Sequence, residues 1–91
     1  MDLNIVGTWE LPQKGGAWVL EVHRDGTYKF HSEAGDGVAP NAGIFSASNG
    51  RWALQATNGY ADGGTYLFPP PDTWIATGKF GTLLGVSVAP R

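Results

Sequence analysis

The chain contains no cysteine, which excludes disulfide staples, thiol nucleophiles and thiolate-held metals and leaves the redox compartment unmarked. It is also poor in charge, with eight acidic and six basic residues scattered over 91 positions and a formal net charge of -2. No basic run can neutralise several phosphates in succession, so no nucleic-acid partner is expected. No apolar run approaches the roughly 20 residues of a bilayer-spanning helix. Met1-Asp2-Leu3-Asn4 has neither the basic n-region nor the apolar h-region of a secretory leader. The expectation is a soluble, cytoplasmic protein with no membrane partner, or a secreted one if a leader has been trimmed ahead of Met1. The length suits one domain, 1–91, whose small core leaves a thin margin of stability that homo-oligomerisation would reinforce.

Helical periodicity is scarce too, because fourteen glycines and six prolines interrupt nearly every window long enough to show it. Alternation with period two is abundant instead, in eight segments of strand length: 5–11, 17–24, 27–32, 42–48, 51–57, 64–68, 73–77 and 83–89. Trp18, Leu20 and Val22 share one face of the second segment, and Tyr28 and Phe30 one face of the third. Arg24-Asp25-Gly26 joins these two, and Asn49-Gly50 joins the fourth and fifth, both as hairpin turns. In the fifth segment Trp52, Leu54 and Ala56 face inward, and in the sixth Tyr66 and Phe68 do, with Asp62-Gly63-Gly64 as the preceding turn. Pro69-Pro70-Pro71-Asp72 then ends pairing, since proline donates nothing to a ladder. The polar stretches 33–41 and 57–62 read as loops.

The order Trp18-x-Leu20, Asp25-Gly26-Thr27-Tyr28-x-Phe30, Gly43-x-Phe45 returns as Trp52-x-Leu54, Asp62-Gly63-Gly64-Thr65-Tyr66-x-Phe68, Gly78-x-Phe80. Two copies are too few to close a propeller within one chain, whereas a barrel of duplicated hairpins needs no partner. Gly7-Thr8-Trp9 resembles the Gly-x-Trp that opens lipocalin and related calycin barrels, and the following Asp-Gly-Thr-Tyr-x-Phe, Gly-x-Phe and Trp-x-Leu rhythm is similar to that of small bacterial lipocalin-like domains. The resemblance implies an all-β, antiparallel up-and-down meander of about eight strands closing into a small barrel, with Trp9 plugging its closed end. The chain is shorter than an ordinary lipocalin and offers no helix to pack beside the barrel. An interior this narrow can be largely filled by side chains, so the ligand cup is expected to be shallow or absent. Gly81-Thr82-Leu83-Leu84-Gly85-Val86-Ser87-Val88 also resembles a late strand of avidin-type barrels, but no biotin cage can be matched and biotin is set aside.

Chemistry-bearing residues find plain explanations. His23 and His31, with Glu21 or Glu33, are too few to converge on a metal, so solvent-facing strand histidines are expected. Ser32, Ser46, Ser48 and Ser87 lack a nucleophile-elbow pattern. Asp25, Asp36, Asp62 and Asp72 sit beside glycine or proline as turn formers. Gly15-Gly16 and Gly63-Gly64 precede no helix that could hold a phosphate. No catalytic residue, cofactor or metal is therefore expected. Trp9, Trp18 and Trp52 fall on apolar faces, while Trp74, after the proline run, suits equally a rim or a cap on the core. Phe45, Ile75 and Leu83 fall opposite the other large residues of their segments and are expected on the outside.

These observations lead to a noncatalytic binding module that holds a small apolar ligand between Trp18, Tyr28, Trp52 and Tyr66, with Trp74 at the mouth. The alternative is a protein-interaction module, a self-associating barrel or a protease-inhibitor-like domain, that uses an exposed apolar strand face.

Overall fold

Alternating sequence of this kind buries one face of a sheet, and a sheet that curls until its first and last strands pair buries that face without leaving an edge. The computed structural model, which describes residues 1–69, 72–79 and 81–88, shows that outcome. Its strands are β1 (Gly7–Gln13), β2 (Gly16–Val22), β3 (Thr27–Ser32), β4 (Asn41–Ser48), β5 (Arg51–Ala56), β6 (Ala61–Leu67), β7 (Thr73–Gly78) and β8 (Gly81–Ser87). Each pairs antiparallel with the next, and β8 returns to β1. The closing seam is short: Trp9 lies opposite Ser87 and Glu10 opposite Val86, and the Val88 N–H donates to the Thr8 carbonyl at 3.1 Å.

Strand ends follow local chemistry. The Asn49-Gly50 turn has φ of 52° and 79°, the doubly left-handed pair of a type I′ hairpin, whose twist matches that of the strands it joins. At the β2–β3 turn the Asp25 carboxylate accepts from both the Thr27 N–H, at 2.9 Å, and the Thr27 hydroxyl. Two expectations are corrected. Ile5 belongs to a 3-10 turn, Leu3–Ile5, and not to the first strand. Asp62, Gly63 and Gly64 lie inside β6, the β5–β6 turn being residues 57–60. The predicted end of the last strand at Ala89 lies outside the described residues, as does Phe80, the last member of the internal echo.

A small barrel must alternate large and small side chains across its strands, because inward vectors converge. Tyr28 faces Gly43, Trp52 faces Ala47 and Gly64, and Trp74 faces Gly85. The Trp52 indole reaches across β6 to donate from Nε1 to the Thr77 carbonyl at 3.3 Å. A Cβ on Gly64 would sit 1.7 Å from that same carbonyl oxygen, so glycine is required there. The same alternation overturns two outward assignments. Phe45 is 1 % exposed, in the core with Gly43 and Ala47 on its face, and Leu83 packs against the core from β8. Ile44 and Leu84 are the outward residues in their place, while Ile75 does face out, between the buried Trp74 and Ala76.

One end of the barrel is closed by the N-terminus. Ile5 and Trp9 are fully buried, and the Trp9 Nε1–H donates to the Ile5 carbonyl at 2.8 Å. Asp2 fastens this plug. Its Oδ1 caps the 3-10 turn by accepting from the Asn4 N–H, its Oδ2 accepts from the Tyr66 hydroxyl at 3.0 Å, and its N–H donates to the Ala47 carbonyl.

Candidate functional site

At the opposite end the inward faces of the strands enclose a cavity of about 240 Å³ that opens to solvent. Its wall is mostly apolar and aromatic. Trp18 and Phe30 stand edge to face at its rim, with ring centroids 5.7 Å apart. Phe45, Trp52 and Trp74 form its inner part, Trp52 stacking on Phe45 at 5.9 Å and Trp74 packing edge-on against both. Trp74 in turn touches Trp9 of the plug, at 6.3 Å, so the base of the cavity rests on the closed end.

Polar groups lie near the mouth. The Tyr28 hydroxyl donates to Asn41 Oδ1, and the Tyr60 hydroxyl donates to Asp62 Oδ2 at 3.3 Å. Asp62 Oδ1 accepts the backbone N–H groups of Gly63 and Lys79, at 2.7 and 3.0 Å. Burial pushes the Tyr28 hydroxyl above its ordinary pKa. Tyr60 is raised as well, by burial first and then by the Asp62 carboxylate. The Lys79 ammonium stands 5.2 Å from the centre of the Tyr60 ring and donates to the Ala61 carbonyl, so it is engaged on the outer wall.

The loop of residues 33–40 bends over the mouth, and Val38 and Ala39 contribute to the lining. Asp36 tethers it. Its carboxylate accepts from the Ser32 hydroxyl and the Trp18 Nε1–H, both at 2.6 Å, and from the Val38 N–H at 3.1 Å. These bonds, with Ser32 first and Trp18 second, hold the Asp36 carboxyl below the usual range.

Of the residues singled out from the sequence, the structure brings Trp18, Tyr28, Trp52 and Trp74 together on the cavity wall, but not Tyr66. Tyr66 sits at the closed end on Asp2. The internal echo misled because its copies are three strands apart. In an antiparallel meander an odd offset turns the second copy upside down, so the counterpart of Tyr28 points its hydroxyl at the plug. Of its two readings Trp74 takes the core one: it lies at the base and is 2 % exposed. Sequence reasoning missed Asn41, Tyr60 and Asp62, which it placed in loops. The signal that could have found Asp62 is its inward parity with Tyr66, four residues along the same strand.

Other candidates disperse. His23 lies in the β2–β3 turn and pairs with Glu21 at 2.8 Å, whereas His31 lies opposite Val19 and pairs with Glu33 at 2.9 Å. Among the described residues no three histidine or acidic side chains gather as a metal site. Comparisons with protein-family models, curated proteins and solved structures found no match.

Proposed function

We propose that this barrel is a noncatalytic binding module of lipocalin-like kind that holds one small, mostly apolar molecule in its open end. The observation that carries the reading is the 240 Å³ aromatic-walled cavity, left open in a barrel narrow enough for side chains to fill. An apolar cavity of about 150 Å³ already accepts benzene, so this one has room for one or two fused rings. Plug and cavity divide the labour: the Asp2 and Trp9 bonds rigidify one end, and the walls at the other are preorganised at no cost to ligand binding.

Native mass spectrometry of the purified protein tests this reading. The expected spectrum is a monomer, part of which carries a small mass released on denaturation, or which takes up an added two-ring compound one to one. Failure of every such compound to bind would overturn it.

A second reading is self-association through the outer face. Leu67 pairs with Ile75, and Ile75 with Leu84, making an unbroken apolar row across β6, β7 and β8, in which Leu67 is 68 % exposed. Rows of this kind mark contacts between proteins. An empty dimer in the same spectrum would favour it.

A further inference from the structure

Two features of the cavity constrain its occupant beyond size, and the inference drawn from them rests on the binding-module reading. The first is at the base. Trp74 Nε1 is the one side-chain nitrogen or oxygen among the described residues that is fully buried with no hydrogen-bond partner. The other three indoles are satisfied, by Ile5, Asp36 and Thr77. An orphaned buried donor costs about 1–3 kcal/mol, and buried polar groups in native proteins are nearly always partnered. The Trp74 indole lines the cavity, so the donor belongs to a side chain that an occupant packs against.

The second feature is the sign of charge. The only ionised side chain in the described lining is the Asp62 carboxylate, and Asp36 stands beside the rim on Trp18. Every hydrogen bond that these two carboxylates accept comes from a neutral hydroxyl, indole or backbone donor. No described lysine, arginine or histidine lines the cavity. An anion carried to the base would be desolvated among apolar side chains, and one held at the mouth would stand beside the like charge of Asp62. The raised Tyr28 and Tyr60 hydroxyls already register that resistance to negative charge.

We infer that the ligand is an uncharged, compact ring compound bearing one hydrogen-bond acceptor, a carbonyl or ether oxygen, that enters ring and acceptor first and takes the Trp74 Nε1–H at the base. Carboxylates, fatty acids included, are rejected. An acceptor at the base gives this donor a partner that a hydrocarbon of the same shape cannot.

The test uses three matched probes with the whole chain: 2-acetylnaphthalene, 2-ethylnaphthalene and 2-naphthoate. They are titrated by calorimetry and by ¹H–¹⁵N spectra of the indole N–H groups. The ketone is expected to bind about tenfold more tightly than the hydrocarbon, which is about 1.4 kcal/mol, and to move the Trp74 indole resonance downfield while the Trp9 resonance stays. The naphthoate is expected not to bind at neutral pH. In Trp74→Phe the ratio of ketone to hydrocarbon affinity falls to about one; should that variant not fold, the wild-type resonance decides. Equal binding of ketone and hydrocarbon, or preferred binding of the naphthoate, would overturn this inference and leave the cavity reading intact. Failure of all three neutral and charged probes to bind would instead remove the cavity reading itself.

Discussion

The bond between Tyr66 and Asp2 is the sharpest point at which to test how the barrel is closed. The Tyr66 hydroxyl, on a residue 6 % exposed, donates to the Asp2 carboxylate at 3.0 Å. Asp2→Ala removes the cap on the Asn4 N–H, worth about 1 kcal/mol, and orphans a buried hydroxyl, costing a further ~1–2 kcal/mol. The expected loss is about 2–3 kcal/mol. Tyr66→Phe leaves the carboxylate with its Asn4 partner and access to water, so about 1 kcal/mol is expected. In the double variant no hydroxyl is left to orphan. Its loss should therefore fall short of the sum of the single losses by about 1–2 kcal/mol, as a double-mutant cycle would report. Urea unfolding followed by tryptophan fluorescence measures all four proteins, the midpoints being comparable if the slope stays constant. Strict additivity would show that the plug is not fastened through this pair. Tyr66→Phe should leave the affinity for 2-acetylnaphthalene unchanged, and a weakened affinity would return Tyr66 to the site.

Other expectations follow from the same geometry. Gly64→Ala should abolish folding, since its Cβ would lie 1.7 Å from a backbone oxygen that cannot retreat; a native-like circular dichroism spectrum would contradict the register of β6 on β7. Asn49→Ala forces alanine into a φ of 52° and should cost about 1–2 kcal/mol, read as a lowered thermal midpoint. Asp36→Ala should quicken ligand exchange at the mouth with little loss of stability, and stopped-flow release of the bound ketone checks it. The pH dependence has two limbs. Hydrogen bonds from His23 to Glu21, Thr27 to Asp25 and Ser32 to Asp36 depress these carboxyls, so their contribution is present above the unfolded values near 4 and is lost as pH falls through the folded ones. Tyr28, Tyr60 and Tyr66 are raised, by burial in each case, so stability is complete below about pH 10 and declines as pH climbs through their folded values. Unfolding midpoints measured across this range should show a plateau between the limbs, and stability that rises beyond pH 10 would refute the tyrosine placement.

The period-two pattern, the two hairpin turns and the scarcity of helix determined an all-β meander, because side-chain direction along a strand and the backbone demands of Asn-Gly are local properties. Trp9 at the closed end was implied by the resemblance of Gly7-Thr8-Trp9 to the Gly-x-Trp that opens calycin barrels. The inward face of β4 and β8 was not. Phe45 and Leu83 turn in because Tyr28, Trp52, Ala76 and Trp74 stand across from them or from their small neighbours, and cross-strand partners are set by register, which no single segment encodes. Nor could the sequence tell that Tyr66 serves the plug while Tyr28 serves the cavity: the two lie in near-identical motifs, and only the antiparallel path through an odd number of strands points them to opposite ends. The orphaned indole of Trp74 and the lone carboxylate of Asp62 at the mouth belong to the tertiary structure as well, since whether a polar group has a partner depends on every strand that surrounds it.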